Sequence, residues 1–490
     1  MATTLLALDQ GTTSSRAILF SADGRILDTE QEAFPQIYPR DGWVEHDAEV
    51  IWQTVQRTAR AVLDRADTPP AAIGITNQRE TTVLWDRRTG KPVHNAIVWQ
   101  DRRTAGACRA LAEAGHGALV RDRTGLLLDP YFSGTKLAWL LDNIDGVRAD
   151  AEAGHLAFGT IDSWLIWKLT GGAVHATDAT NACRTLLYGL EAGGWDGDML
   201  DLLRIPRAVL PEVRDSAGAF GETTKDALGH RLPIGGVAGD QQAALVGQAG
   251  FAPGAVKSTY GTGCFVVLNT GERIVRSDHR LLSTVAYQLG GQRTFAVEGS
   301  IFIAGAAVQW LRDGLGLFED ARETEDLARA ANPDSRVVMV PAFTGLGAPY
   351  WDAEARGAIY GLTRDTGRAE MTAATLEAVA HQTADLIDAM RKDGAAISAL
   401  RIDGGMVANP WFCQTLCDLT GLPADRPAVQ ETTALGAAML AGLSAGLFAD
   451  LEEAGALRRP DADFAPDRPP AWREGKRAAW SDAVRRTLTG

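Results

Sequence analysis

The chain has 490 residues, 46% of them apolar and 22% charged. That is ordinary globular material for two or three domains, and it excludes disorder, collagen and coiled coil as the main architecture. Lys and Arg number 48 against 62 Asp and Glu, a net charge of −14, which argues against nucleic acid or an anionic membrane as chief partner but leaves a local site for an anionic small ligand open.

The first twenty residues read as strand, turn, strand. Leu5, Leu6 and Leu8 are apolar, Asp9 to Ser15 is small and polar, and Ala17 to Phe20 is apolar again. The start has no basic segment before its apolar run, and Asp9 cuts that run short, so no targeting segment is expected. Asp23-Gly24 signals a hairpin turn into Arg25-Ile26-Leu27. Asp47 is placed to cap a helix with Ile51, Val55, Val62 and Leu63 on one face. Ala71 to Thr76 and Ala96 to Trp99 read as strands, as does Ile234 to Ala238. The opening pattern then recurs: Ala255 to Thr259, the turn Tyr260-Gly261-Thr262-Gly263, and the apolar run Cys264 to Leu268. Arg336 to Val340 is a further strand, Arg368 to Met390 a long helix, and Ala399 to Asp403 a strand followed by a helix after Asn409. Thr432 to Ala449 carries no charge, but its Ala, Gly, Thr and Ser content predicts a close-packed core helix rather than a membrane span. Beyond Arg458 a surface tail is expected, apart from a last helix. Strands mixed with helices in both halves predict two α/β domains, 1–250 and 251–490, parted where Gly250, Pro253 and Gly254 cluster.

Several motifs fail. G-x-x-x-x-G-K-[ST] is absent, no G-x-G-x-x-G follows a strand, and there is no H-E-x-x-H. Gly442-Leu443-Ser444-Ala445-Gly446 fits G-x-S-x-G, but no strand precedes it and the last histidine, His381, lies upstream; Gly442 and Gly446 are read as close helix packing. The five cysteines, Cys108, Cys183, Cys264, Cys413 and Cys417, are odd in number and without C-x-x-C. Neither a disulfide framework nor a zinc site is expected, and a reducing cytoplasm fits.

Three signals carry chemistry. The two Gly/Thr hairpins, one opening each half, leave backbone N–H groups pointing into a concavity that suits phosphate oxygens. Thr12, Thr13, Ser14 and Thr262 add hydroxyls, Arg16 adds charge, and Asp9 at the strand end is placed for Mg²⁺. Singly, such hairpins are usually only turns; together they point to loops clasping a nucleotide. Asp403-Gly404-Gly405 is a third turn of this kind. Asp240, after the strand ending near Gly239, is either a helix N-cap or a general base for a substrate hydroxyl. Asn77-Gln78-Arg79-Glu80-Thr81 suits a ligand with several hydroxyls, the alternative being a surface turn with a solvated ion pair.

The sequence resembles the family of carbohydrate and polyol kinases that share the actin-like (ribonuclease H-like) ATPase fold. The residues that carry the likeness are Leu8 to Arg16, Gly42 to Asp47, Gly74 to Thr82, Ala96 to Gln100, Asp129 to Lys136, Ala238 to Ala244, Thr259 to Phe265 and Pro341 to Trp351. It runs from residue 4 to about 450, nearly without gaps. The resemblance implies two such domains flanking a deep cleft, and transfer of the ATP γ-phosphoryl group to glycerol. It also implies a homo-oligomer, dimer or tetramer. Carried over by position, it implies that Arg79, Glu80, Tyr131, Asp240 and Gln241 hold glycerol, with Trp99 and Phe265 against its carbon face and Asp240 as base. Thr12, Thr13, Ser14 and Arg16 are then phosphate ligands, Asp9 handles Mg²⁺, and Thr262, Gly305, Gln309, Gly405 and Asn409 complete the nucleotide site. Trp99 and Phe265, taken alone, are equally readable as core aromatics. The competing readings are a kinase for another polyol or sugar, and a non-transferring ATPase on the same fold. One departure concerns regulation. Some relatives bind a sugar bisphosphate through Gly-Thr-Arg in a loop, where this chain has Gly229-His230-Arg231 in a shortened one; His230 is expected to be an exposed loop residue.

Overall fold

The computed structural model describes residues 3–490. Its framework is a pair of mixed sheets with the same strand logic. In the N-terminal sheet, β1 (Thr4–Gln10), β2 (Ser14–Ser21) and β3 (Ile26–Ala33) form an antiparallel meander. On the other side of β1, β4 (Ala72–Asn77) and β5 (Ile234–Gly239) run parallel to it, giving the order β5-β4-β1-β2-β3. The central strand β1 is covered on both faces, which is why it reads as a continuous apolar run rather than an alternation. The edge strand β3 carries Asp28, Glu30 and Glu32, charges that discourage pairing with another chain. Helix α1 (Ala48–Arg65) packs on β2 and β3, and the Asp47 carboxylate caps it, accepting from Glu49 N–H at 2.8 Å. Residues 78–233, inserted between β4 and β5, form a mainly helical region with its own core around Phe132, Leu137, Leu140, Leu187 and Met199. The strand expected at Ala96 to Trp99 is only Ala96–Ile97, paired with Glu45–His46; Trp99 lies beyond it.

The C-terminal sheet repeats the pattern. Strands β6 (Val256–Tyr260), β7 (Cys264–Gly271) and β9 (Gln292–Ile301) form the meander, with β8 (Leu282–Leu289) added outside β9. Strands β10 (Leu400–Asp403) and β11 (Ala424–Pro427) run parallel to β6. The far edge is β12 (Pro460–Phe464), antiparallel to β11. The expected surface tail is therefore wrong over these five residues. An edge strand has one side free of ladder bonds, so it tolerates the proline and two aspartates that made the segment look irregular. The expected strand 336–340 is Val338–Val340, and the long helix is Arg368–Lys392.

The core does not divide where the sheets do. Helix α2 (Asp240–Gly247) follows β5, and helix α3 (Thr432–Ser444) follows β11 after a short turn. The two helices occupy equivalent places in the two sheets and cross each other. The crossing is bare backbone: a Cβ on Gly436 would fall 1.8 Å from the Ala243 carbonyl oxygen, and one on Gly247 1.9 Å from that of Thr432. Helix α3 also lies on β1, β4 and β5, where Gly74 and Gly236 admit it. One apolar core thus joins Leu5, Ala7 and Phe20 to Val246, Val267 and Ala434 to Ala441. Gly442 does pack closely, against Phe448. Gly446 does not: it faces open space with φ +70° and ends the helix in a left-handed turn. Among the described residues no helix is long and apolar enough to cross a membrane.

Candidate active site

Each hairpin is closed by its own backbone. Gly11 N–H donates to Ser14 C=O at 2.9 Å, and Gly261 N–H to Gly263 C=O at 2.9 Å. In the first hairpin Trp99 Nε1 donates to Thr12 Oγ1 at 3.0 Å and Gln31 Nε2 to Ser14 Oγ at 2.8 Å. Both hydroxyls are held as acceptors, so their own protons remain free to donate to a phosphate. The Thr13 C=O accepts from Phe34 N–H at 3.1 Å, and Arg16 pairs with Glu431 of the other half. The second hairpin is braced from behind: Ala304 and Ala306 N–H donate to Thr262 C=O, and Gly305 N–H to Gly261 C=O at 2.9 Å. A Cβ on Gly305 would lie 2.7 Å from the Gly261 oxygen, so only glycine permits the brace. Thr262, Gln309 and Gly405 are exposed. Asn409 caps the helix Pro410–Thr420, accepting from Phe412 N–H at 3.1 Å and donating to Thr324 Oγ1 at 3.1 Å. One lone pair and one N–H of its amide remain for a ligand.

Asp9 is the last residue but one of β1, across the ladder from Arg16. Burial pushes its carboxyl up to about 7, opposed by Arg16 and reinforced by Glu431 and Asp240. Asp9 thus feels the charges of two further acids besides Arg16; Glu431, which pairs with Arg16, went unnoticed in the sequence. No group of three or more His, Cys, Asp or Glu is arranged to hold a metal among the described residues. The site fits Mg²⁺ as kinases commonly hold it, by one carboxylate with the remaining ligands from phosphate and water.

Asp240 is the first residue of α2, not its cap; the cap position is Gly239. Its side chain is 32% exposed, and Arg79 Nε lies 3.1 Å from Oδ1. The carboxylate still serves the start of the helix, since its Oδ1 also accepts from Gln241 N–H at 2.7 Å. Arg79 and Glu80 are not a solvated surface pair. They are 2% and 1% exposed, and each pairs with a residue distant in the chain. Glu80, held at φ +61°, accepts from Arg184 Nε at 2.6 Å. Arg184 Nη2 reaches Glu298 Oε1 at 2.9 Å, and Arg79 grips Glu298 with both terminal nitrogens, at 2.5 and 3.2 Å. Two arginines and two glutamates are thereby balanced in a buried cluster, the arrangement that makes burying four charges tolerable. Burial raises the Glu80 carboxyl against the pull of Arg79 and Arg184. Burial also opposes ionisation of Glu298, yet Arg184 and Arg79 draw its carboxyl down to about 2.

Around this cluster stand the expected polyol residues. Tyr131 packs edge-on to Trp99, ring centroids 5.6 Å apart, and its backbone oxygen accepts from the buried Lys136 Nζ at 2.6 Å. Phe265, from the C-terminal sheet, lies 5.6 Å from the Arg79 guanidinium. Gln241 is only 6% exposed, and its side-chain carbonyl accepts from Lys257 Nζ, which leaves one lone pair and the amide N–H₂ for substrate. Lys257 is itself buried, which lowers its ammonium to about 8 despite Asp403, Asp240 and Glu298 nearby. Arg184, Glu298 and Lys257 were not anticipated. The available signal was a lone charge inside an apolar strand, as in Ala296-Val297-Glu298-Gly299. Away from the site, His230 is half-buried rather than exposed, while Arg231 is 71% exposed near Glu222.

Comparison with known proteins agrees with this geometry. Residues 4–247 match the N-terminal domain, and residues 256–445 the C-terminal domain, of the FGGY family of carbohydrate kinases. A glycerol kinase of Rhodospirillum centenum is 59% identical over 489 residues, covering 99% of this chain and 98% of that protein. A glycerol kinase of Methylobacterium nodulans is 60% identical over 487 residues, covering 98% and 97%. Among solved structures, Plasmodium falciparum glycerol kinase with ADP superposes with a TM-score of 0.93 at 36% identity, over 100% of this chain and 99% of that one. Gluconate kinase from Lactobacillus acidophilus, at 22% identity and a TM-score of 0.90 over 99% of this chain and 98% of that one, shares the fold. With both family domains matched in order and relatives about 60% identical over nearly the whole length, the chain belongs to the FGGY family of carbohydrate kinases.

Proposed function

We propose that this chain transfers the γ-phosphoryl group of ATP to glycerol, forming sn-glycerol 3-phosphate and ADP. The observation that carries the reading is Asp240. Its part-exposed carboxylate sits at the start of α2 with Arg79 Nε 3.1 Å away, and its charge helps to raise the Asp9 carboxyl. Asp240 accepts the proton of the attacking hydroxyl as the O–P bond forms, and the leaving group is ADP. Arg79, Glu80, Tyr131 and the Gln241 amide hold the polyol hydroxyls, and Trp99 and Phe265 cover its carbon face. Thr12, Thr13, Ser14 and Arg16 in one half, with Thr262, Gly305, Gln309, Gly405 and Asn409 in the other, bind the nucleotide. Mg²⁺ would be held by Asp9 and would neutralise phosphate charge when bound. With ligands from residues 1–250 and 251–490, closing of the halves excludes water and favours transfer over hydrolysis. The names of the close relatives support glycerol as acceptor. The resemblance supports a homo-oligomer, and five buried, unpaired cysteines fit the cytoplasm. ADP release by the purified protein, measured with ATP and Mg²⁺ in the presence and absence of glycerol, tests the reading. Formation that depends on glycerol is expected; equal rates without any polyol sink it in favour of a plain ATPase.

A further inference from the structure

Arg79 belongs to the N-terminal half, at the end of β4, and so does Asp240. The residue that orients Arg79 does not. Glu298 lies in β9, in the body of the C-terminal sheet, between Val267 of β7 and Leu282 of β8. Its two oxygens take both terminal nitrogens of Arg79, and one of them also accepts from Arg184. A guanidinium is planar, so fixing both terminal nitrogens fixes the direction of Nε. That direction is toward Asp240 Oδ1. Gln242 Oε1, 3.2 Å from Nη1, is the only other side-chain acceptor on Arg79 among the described residues, and it is neutral. Arg184 extends the same link to Glu80, whose strained backbone at φ +61° is anchored through its carbonyl oxygen by Ser133 Oγ at 2.9 Å.

We propose that Glu298, with Arg184, is a positioning residue that aligns Arg79 and Glu80 for the polyol only when the two halves meet. It does not touch the reacting atoms. It makes the grip on the acceptor depend on a contact between the two halves. The inference rests on the glycerol kinase reading above, since it presumes that Arg79 and Glu80 hold a polyol.

The test uses the full-length protein with Glu298→Gln, Glu298→Asp and Arg184→Lys, each checked for folding by thermal melting. Glycerol is varied at saturating ATP, and ATP at saturating glycerol. The expected result for Glu298→Gln is a glycerol KM raised roughly tenfold or more with the ATP KM within about twofold. Glu298→Asp keeps the charge but is one methylene short, and is expected to recover part of that loss. Combined with Arg79→Lys, either Glu298 variant is expected to cost less than the product of the single effects, because the two side chains act as one unit. A folded Glu298→Gln with native glycerol KM overturns the proposal. Equal rises in both KM values overturn it too, since a merely loosened fold does that, and failure of all three variants to fold assigns the cluster to folding alone. The wild type separates this inference from the one it rests on. If it shows no glycerol-dependent ADP formation the functional reading fails; if it does and the variants keep their glycerol KM, only the positioning role fails.

Discussion

In the N-terminal sheet β5 runs straight into α2, and the first helical residue is Asp240. At the matching place in the C-terminal sheet β11 stops at Pro427, and residues 428–431 intervene before α3. There the acid is Glu431, outside the helix and paired with Arg16 of the other half. The strand order is common to both halves, yet the acid at the direct strand-to-helix junction pairs with Arg79 of its own half, whereas the acid at the end of the longer turn pairs with Arg16 of the other. The inserted residues 78–233 widen the difference, because they give the N-terminal half Trp99, Tyr131 and Arg184. The two halves share a topology, and junction length and insertion set which side carries Asp240 and the residues around it.

The sharpest way to break this contrast is Asp240→Asn. Asn keeps the shape and one acceptor but takes no proton. The expected outcome is a kcat lowered about 10²–10⁴-fold, or roughly 3–5 kcal/mol, with a melting temperature close to native. A near-native kcat on a folded preparation would remove Asp240 from the mechanism and leave the two junctions functionally alike.

Next come Arg79→Ala and Glu80→Ala, which cut the buried cluster on the N-terminal side. Each strands a buried opposite charge, at a cost of about 3–5 kcal/mol in stability. The glycerol KM is expected to rise far more than the ATP KM. Should ATP affinity fall while glycerol KM holds, these side chains belong to the nucleotide and not to the acceptor.

A smaller effect is expected from Gly436→Ala at the helix crossing. The new methyl must push α3 off the Ala243 carbonyl, an overpacking cost of about 1–3 kcal/mol. Calorimetry should show a melting temperature lowered by roughly 1 °C per kcal/mol for a chain of this length. An unchanged melting temperature would show that the helices part freely, so that the halves are less tightly joined than one shared core implies.

Local chemistry made much of this molecule readable. Asp47 and its helix, both Gly/Thr hairpins, and Asp240 were visible because a cap, a tight turn or a strand end is written in neighbouring residues. The expected division near residue 250 rested on the same kind of local signal, Gly250, Pro253 and Gly254, and did not reveal that α3 returns to cover β1 and β4. The ion cluster was illegible for the same reason. Arg79 and Glu80 stand side by side and look like each other's partners, but their true partners are 219 and 104 residues away. Pairing at that distance is decided by which strands meet, not by spacing. At β12 the error ran the other way, since Pro460, Asp461 and Asp463 signal a loop unless the segment is known to lie at an edge.

The crossing of α2 and α3 has a bearing on motion. At Gly247 and Gly436 the two helices touch through backbone with no side chain between them, so this point would be the pivot of any rotation of one on the other. Asp240 stands seven residues from Gly247, about 10 Å along the helix axis. A rotation about the crossing therefore displaces Asp240 little and the outlying parts of each half much more. In such a rotation the carboxylate would stay close to the pivot, and the swing would be borne by the outlying parts of each half.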